Sequence, residues 1–451
     1  MTHASPAPRG ALGKGQSMGQ DHTSCGRCDR MPSLAMLLAV MAALAWLALA
    51  PARAEETLPP FIAQFLKQLE EQNDLKIAWG RARQLDDGDF VLEEVSWAVH
   101  AKGKVRPVAH SALMRFSGLR EDGDLLRCAK VSIVSTDIDA APDVFDEPHS
   151  DKAIRVRIPE VIFEDNSILK TGAGRNAIER LFEGQVVSAR VVVPEITLHS
   201  PFALKVGKVV YTFGGNRRTM EGKGTFTISR IALPPEVSAM MGRKDALGQL
   251  GYDRFVLSVG AAWTTRWDEK DRNHVDFMLR LGMDQAGRLG IEVGELVLPL
   301  SLMRMLVDAR ESKRLEKMID AEDPALMNML QNDITLQTLR IFWEDEGLTR
   351  RLLAMEARRK GLEQKDVIDA WAAAPQAFLF MLGLPDVGAQ ASDALRTFLA
   401  DPRRLDISMH ARAPMNLATL MTLLEDPKGL VDTLNLKITA NGPAEKTDEA
   451  Q

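Results

Sequence analysis

Gly15-Gln16-Ser17-Met18-Gly19 has the G-x-S-x-G spacing of a nucleophile elbow. That device needs a strand before the serine and a helix after it, so that a strained turn lifts the hydroxyl toward substrate. Here the motif sits in an N-terminal leader that export removes. Ser167-Ile168-Leu169-Lys170 reads as S-x-x-K, and Lys170-Thr171-Gly172 as K-T-G. In penicillin-binding enzymes these pieces come from separate elements, and two motifs that share one lysine cannot fill both roles. The stretch from Gly215 to Lys223 lacks P-loop spacing and has Gly224 where Ser or Thr is needed.

Six histidines follow the leader: His100, His110, His149, His199, His274 and His410. None has an i, i+4 partner or the tight clustering of a zinc site, which favours structural roles over ligation. Asp268, Asp271, Asn273 and Asp276 could offer oxygens to calcium. They lack the glycine and terminal glutamate of an EF-hand loop, so a solvated hairpin turn is the better expectation. Glu160 and Glu195 would make a general acid–base pair only if their two segments align; solvent-facing carboxylates are the plainer reading. No catalytic, cofactor-binding or metal-binding residue is assigned, no cofactor is expected, and an enzyme is the less favoured class.

Two stretches point to binding more than to chemistry. Arg350, Arg351, Arg358, Arg359 and Lys360 make one helix basic within an acidic chain, as a solvated face or a face for a membrane surface or another anionic partner. Met303, Met305, Met318, Met327 and Met329 cluster; unbranched thioethers suit both ordinary cores and adaptable apolar pockets.

The elements that would position these residues begin with the leader. Leu34 to Ala50 is apolar and uncharged, Arg27 and Arg30 precede it, and Ala52-Arg53-Ala54 follows. A positive flank, an apolar run and a small-x-small site are the parts of a secretory signal, with cleavage before Glu55 and a periplasmic destination. An uncleaved membrane anchor is the alternative, because seventeen residues just span a hydrocarbon core. Translation from Met18 or Met31 would shorten the leader. Of the 56 basic and 62 acidic residues the leader takes five and two, which leaves 51 and 60 and a net charge of −9. That argues against a general nucleic-acid binder. Cys25 and Cys28 lie upstream of the apolar run, so only Cys128 remains and no internal disulfide forms. The whole chain of 451 residues, 45% apolar and 26% charged, has globular usage, which excludes collagen, coiled coil and wholesale disorder.

After the leader, Leu58, Phe61, Ile62, Phe65, Leu66 and Leu69 recur at helical spacing. Thr57 is placed to cap this helix and Asn73-Asp74 to end it. Strands dominate from about 75 to 300, separated by turns such as Asp86-Asp87-Gly88-Asp89, with short helices near 174–183 and 235–249. Helices dominate from about 300 to 430, Leu302 to Leu315 and Leu348 to Arg359 foremost. Strands around Leu405 to Ala411 and Leu434 to Thr439 close the chain.

The most telling pattern is an internal echo. Arg155-Val156-Arg157-Ile158-Pro159-Glu160-Val161 is matched by Arg190-Val191-Val192-Val193-Pro194-Glu195-Ile196. Apolar residues alternate up to the proline and resume on the opposite parity, as Val156 and Ile158, then Val161 and Phe163. Two residues between the halves invert which side chains point inward, and a bend at Pro-Glu does this. The same template starts at Phe90, Phe226, Ile291 and Ile334. It implies long, bent antiparallel strands rather than a solenoid of fixed period.

Leu233-Pro234-Pro235 through Gly251-Tyr252-Asp253-Arg254, Asp345-Glu346-Gly347-Leu348, Phe398-Leu399-Ala400-Asp401-Pro402 and Lys437-Ile438-Thr439-Ala440-Asn441 resemble exported proteins of unknown function from Gram-negative bacteria. The resemblance covers about half of the chain after the leader. It implies a β-rich periplasmic body and carries no functional residues.

The expected fold is α+β: a long, bent antiparallel β-sheet with packed helices and a helix-rich C-terminal part. The expected divisions are a signal peptide over 1–54, a β-rich body with an N-terminal amphipathic helix over 55–300, a helix-rich region returning strands to the sheet over 301–440, and a disordered tail over 441–451. The expected function is an exported, envelope-associated binding or scaffolding protein, with a lipid or other apolar ligand, envelope proteins or a membrane surface as partners and no nucleic acid. A periplasmic hydrolase with an unrecognised site is the alternative.

Overall fold

A computed structural model describes residues 58–71, 75–101, 104–140, 153–200, 203–233, 250–252, 254–307, 315, 318, 319, 321, 323–424 and 427–442. The leader with its G-x-S-x-G, His149, Thr57, Asn73-Asp74 and the helix expected over 235–249 lie outside them. Among the described residues eighteen strands form one antiparallel sheet. The first twelve are β1 (Leu75–Ala78), β2 (Arg81–Gln84), β3 (Phe90–Ala101), β4 (Lys104–Ser117), β5 (Arg120–Asp122), β6 (Leu125–Ala140), β7 (Ile154–Leu169), β8 (Val186–Val193), β9 (Ile196–Ser200), β10 (Leu204–Val206), β11 (Val209–Asn216) and β12 (Glu221–Leu233). A plain meander follows: β13 (Phe255–Trp267), β14 (Arg272–Met283), β15 (Gly287–Pro299), β16 (Thr335–Asp345), β17 (Arg404–Asn416) and β18 (Lys437–Ala440).

Nine helices are seen among the described residues: α1 (Pro60–Glu71), α2 (Ala177–Leu181), α3 (Leu300–Val307), α4 (Pro324–Asn332), α5 (Leu348–Lys360), α6 (Gln364–Met381), α7 (Pro385–Ala400), α8 (Leu417–Leu424) and α9 (Pro427–Leu434). They are interspersed with strands. Seven of the nine lie from residue 300 onward, but that stretch is helix-rich only in part, because β16, β17 and β18 run through it and extend the same sheet.

The echo marks a crease. On β7 the inward residues step from Ile158 to Val161, with Pro159-Glu160 between them. Pairing brings Ile158 beside Ile196 and Val161 beside Val193, so the two Pro-Glu pairs lie against each other. The same three-residue step occurs on every neighbouring strand. It runs from Leu92 to Val95 on β3, from Ser111 to Met114 on β4 and from Ile133 to Thr136 on β6. It continues from Val206 on β10 to Val209 on β11, and from Ile228 to Ile231 on β12. Glu94 and Ser135 take φ of 54° and 52° in mid-strand, the left-handed turn that lets a strand skip a residue and keep its side chains inward. Pro159, with no N–H to give, suits the gap this leaves in the ladder.

All fourteen residues flanking the crease are buried. The two polar ones are satisfied: Trp97 Nε1 donates to Ser111 Oγ at 2.9 Å, and Ser111 and Thr136 hydroxyls meet at 2.8 Å. On β13 the step reverts to two residues, Leu257 to Val259, so the crease ends as a bulge opposite Ile228/Ile231. A shorter crease lies parallel to it, with Asp165 at φ 49°. There Asn166 donates to Cys128 O and Phe163 O, and accepts from Ser188 Oγ at 2.6 Å.

One apolar row crosses the sheet on the inward face: Phe90, Phe116, Val131, Phe163, Val191, Tyr211, Phe226, Ala261, Leu279, Ile291, Ile341, Ile407 and Ile438. The helix α1 covers its first part. Its i, i+1, i+4, i+5, i+8 stripe of Phe61, Ile62, Phe65, Leu66 and Leu69 is fully buried. Phe65 meets Phe116 and Phe163 edge-on at 5.6 and 6.1 Å between ring centres.

Candidate functional site

From β13 to β18 the sheet is covered differently. At one end of the strands, Leu353, Ala357, Val367, Phe398 and Leu399 of α5, α6 and α7 pack on Trp343, Leu405 and Ala440. At the other end, Leu302 of α3 and Leu326 and Met329 of α4 pack with Leu298 and Ile334. Between these clusters the inward face holds the row from Ala261 to Ile438 and its neighbours Trp263, Phe277, Val293, Leu339 and Met409. These residues are half-buried, and Leu281, Ile341 and Ile407 are 40%, 38% and 41% exposed. An apolar face of this width left open on a sheet is a feature that needs an occupant or a function.

The opposite face of the same strands is polar and holds an open groove of about 900 Å³. Asp276, Glu292, Arg340, Asp406, His410 and Lys437 are among the residues lining it. Glu292, Arg340 and Asp406 form a paired group in it. Arg340 Nε donates to both Asp406 oxygens at 3.0 Å and Nη2 adds a 2.8 Å bond. Glu292 lies 3.5 Å from Arg340. Arg404 joins Glu344 at 2.6 Å and Asp406 at 3.2 Å. Both guanidinium groups also lie on the Phe342 ring, at 4.1 Å for Arg404 and 5.8 Å for Arg340. Phe342 in turn covers Gly290, where a Cβ would fall 2.1 Å from its ring.

Asp406, Ser408 and His410 are the residue types of a hydrolytic triad on one face of β17, and all three line the groove. Alternate residues of a strand are about 6.6 Å apart along its axis, whereas a nucleophile and its base must approach within about 3 Å. Asp406 is committed to the two arginines.

The residues singled out in the sequence do not converge. Ser167 is buried in β7, while Lys170 ion-pairs with Glu121 at 2.7 Å. Gly215 faces Gly222 across the β11–β12 hairpin, where a Cβ on Gly215 would lie 2.0 Å from Glu221 O; these glycines serve close backbone approach. Asp268 begins the β13–β14 hairpin turn and accepts from Lys270 N and Arg272 N at 2.9 Å, from Arg272 Nε at 2.8 Å, and meets His274 Nε2 at 3.2 Å. Burial raises its pKa, but the bonds from Arg272, His274 and Lys270 outweigh that and hold the carboxyl well below the usual range. Asp276 accepts from Glu295 N. Asp268 is thus engaged by the turn and Asp276 by β15, while Asn273 Oδ1 is buried without a hydrogen-bond partner, and the four do not gather round one point as calcium ligands would. The segments of Glu160 and Glu195 do align where the two Pro-Glu pairs meet, but Glu195 is exposed and meets Thr197 and Lys205, and neither glutamate lines the groove.

His110 pairs with Glu94 at 3.0 Å, and His199 is exposed. Among the described residues no group of His, Cys, Asp and Glu is arranged to hold a metal. Cys128 is buried and donates to Ser117 O and Lys130 O; burial pushes its thiol up to about 12.

The basic helix is α5, and its charges are partly paired inside the chain. Arg359 and Lys360 hold Glu356 at 2.7 and 3.0 Å, which keeps that carboxyl at about 2. Arg350 faces Asp401 at 3.7 Å. Arg351 stacks on Tyr252 at 4.3 Å and donates to Leu250 O and Gly251 O. These pairs sit at the surface, with Arg350 and Arg359 65% and 67% exposed, so the basic residues make a solvated helix face whose charges are partly paired within the chain.

Residues 281–441 match the family model of an uncharacterised protein. That segment starts late in β14 and runs past β18, so it takes in β15–β18 of the open part and the helices flanking it, without β13. No curated protein matches the chain. Among the described residues no helix is long and apolar enough to cross a membrane.

Proposed function

We propose that this is an exported, envelope-associated binding protein that holds a lipid acyl chain along the open apolar face of β13–β18. The observation that carries the reading is the half-exposed row Ala261, Leu279, Ile291, Ile341, Ile407 and Ile438, with helices on either side of it. Six strands spaced about 4.8 Å apart give a row about 24 Å long. That exceeds the half-thickness of a bilayer core, about 15 Å, that an acyl chain spans. Each methylene removed from water contributes about 0.8 kcal/mol, so a chain lying on this row would be retained through purification. The helices that follow residue 300 act as walls in this reading, and Met409 supplies the adaptable surface that a flexible chain suits.

Export rests on the leader, with cleavage before Glu55. N-terminal sequencing of the protein from its own envelope should start at Glu55; retention of Leu34 to Ala50 would make the leader an anchor.

Native mass spectrometry of the same material tests the ligand. A bound mass that dissociates as a lipid is expected, and it should be lost in Ile341→Gln/Ile407→Gln. Protein without any bound lipid, or lipid retained undiminished by the double variant, would sink the reading. The spacing of Asp406, Ser408 and His410 argues only against a hydrolytic triad made of these three residues.

A further inference from the structure

The helices α6 and α7 form an antiparallel hairpin. The start of α6 and the end of α7 are anchored, with Val367, Phe398 and Leu399 packed on Leu353 and Ala357 of α5. Further out the two helices pack on each other: Ser392 Oγ donates to Ala372 O at 2.7 Å, and Gly388 lies 3.2–3.3 Å, by its would-be Cβ, from Gln376 and Leu379. The hairpin closes through Gly383, whose φ of 75° ends α6 in the left-handed turn glycine favours. At this turn Phe378, Phe380, Met381 and Leu382 are 58%, 69%, 75% and 48% exposed. From Ala370 to Pro385 no side chain is ionisable, in a chain with 26% charged residues.

We propose that the tip of the α6–α7 hairpin inserts into the interfacial layer of a lipid bilayer. Four side chains of about 200 Å² each, half to three-quarters exposed, offer about 500 Å². A stable dimer or other specific protein interface buries about 800 Å² on each partner, so the tip alone is too small for a second copy of the chain. A convex, uncharged tip carrying two phenylalanines matches instead the depth at which interfacial segments lie, about 5–10 Å below the headgroups. The charge-free length from Ala370 to Pro385 lets the tip enter without burying an ion. This proposal does not depend on the acyl-chain reading, since it concerns a different surface and a different probe.

The test uses the full chain with Cys25→Ser and Cys28→Ser, so that a thiol dye reports on one added cysteine while Cys128 stays buried. Met381→Cys and Asp393→Cys are labelled separately with nitrobenzoxadiazole. Adding vesicles of phosphatidylethanolamine and phosphatidylglycerol should raise emission several-fold at 381 and leave 393 unchanged. Brominated acyl chains should quench the label at 381, and adding Phe380→Asp should abolish the rise. No rise at 381, or an equal rise at both positions, overturns the proposal. So does a rise at 381 that depends on protein concentration without vesicles, which would mean self-association. Both labelled positions are exposed, and unchanged melting temperatures confirm that the variants fold.

Discussion

In β3–β12 the apolar row from Phe90 to Phe226 runs beside a crease whose flanking residues are all buried, and α1 lies over its first part. In β13–β18 the same row continues from Ala261 to Ile438; Phe116 and Val131 are buried in the first half, whereas no member is buried in the second and Ile341 and Ile407 are 38% and 41% exposed. Strand pairing continues across the boundary, with a bulge opposite Ile228/Ile231 as the one shift in register there. The difference lies in what closes over the row. The first half bends its own strands so that the residues on both sides of the crease are buried, and the buried stripe of α1 completes its core. The second half loses the crease at β13, lies between two helix clusters, and carries cross-strand pairs and the charged ladder of Arg340, Asp406 and Arg404 on its other face. A sheet can therefore stay continuous while changing from a core into a surface.

The largest effect should separate the two halves directly. Phe65→Ala removes the ring that sits between Phe116 and Phe163 in a closed core, and should cost about 3–5 kcal/mol in denaturant unfolding. Ile407→Ala, on the open row, should cost under about 1 kcal/mol, because half of that side chain already meets water. Comparable losses would mean that the open face is closed in solution.

A smaller loss is expected within the open half. Gly290 leaves room for the Phe342 ring beneath the two arginines, and a Cβ there would fall 2.1 Å from that ring. Gly290→Ala should force Phe342 aside and cost about 1–3 kcal/mol. Restoration by Phe342→Leu in the same chain would assign the loss to that contact; no loss at all would show that the ring is free to move.

The crease was legible on some strands and hidden on others, and the next prediction probes why. The apolar template at Phe90, Val156, Val191 and Phe226 marks strands that cross the crease. Its copy at Ile291 marks the β15 bulge, where Glu295 has φ 53°, and its copy at Ile334 lies beside the β16 register shift. On β4 and β6 the inward residues at the crease are Ser111 and Thr136, and a pattern written in apolar residues passes over them. The charged ladder was illegible for another reason: Glu292, Arg340 and Asp406 become neighbours only through strand pairing. The helix spacing over 58–69 was readable because α1 is amphipathic by itself. Thr136→Val keeps the shape but leaves the Ser111 hydroxyl short of a partner. It should cost about 1 kcal/mol, since a buried hydroxyl loses one bond while Trp97 Nε1 keeps its own. A neutral or stabilising result would make the polar pair dispensable and the crease purely a matter of packing.

The smallest effect concerns Cys128, and its size is the point. The thiol lies in the closed half, donates to Ser117 O and Lys130 O, and is pushed up to about 12 by burial. The thiolate is the reactive form, so a thiol reagent at neutral pH should modify Cys128 only when the strands around it open. A reductant should leave the melting temperature unchanged, since no other cysteine follows the leader. The labelling rate of Cys128 then reports how often the closed half opens. Phe65→Ala should raise that rate in step with its loss of stability, whereas Ile407→Ala should leave it nearly unchanged. If labelling of Cys128 rises equally with both substitutions, the two halves unfold as one unit and differ only in how much water they admit.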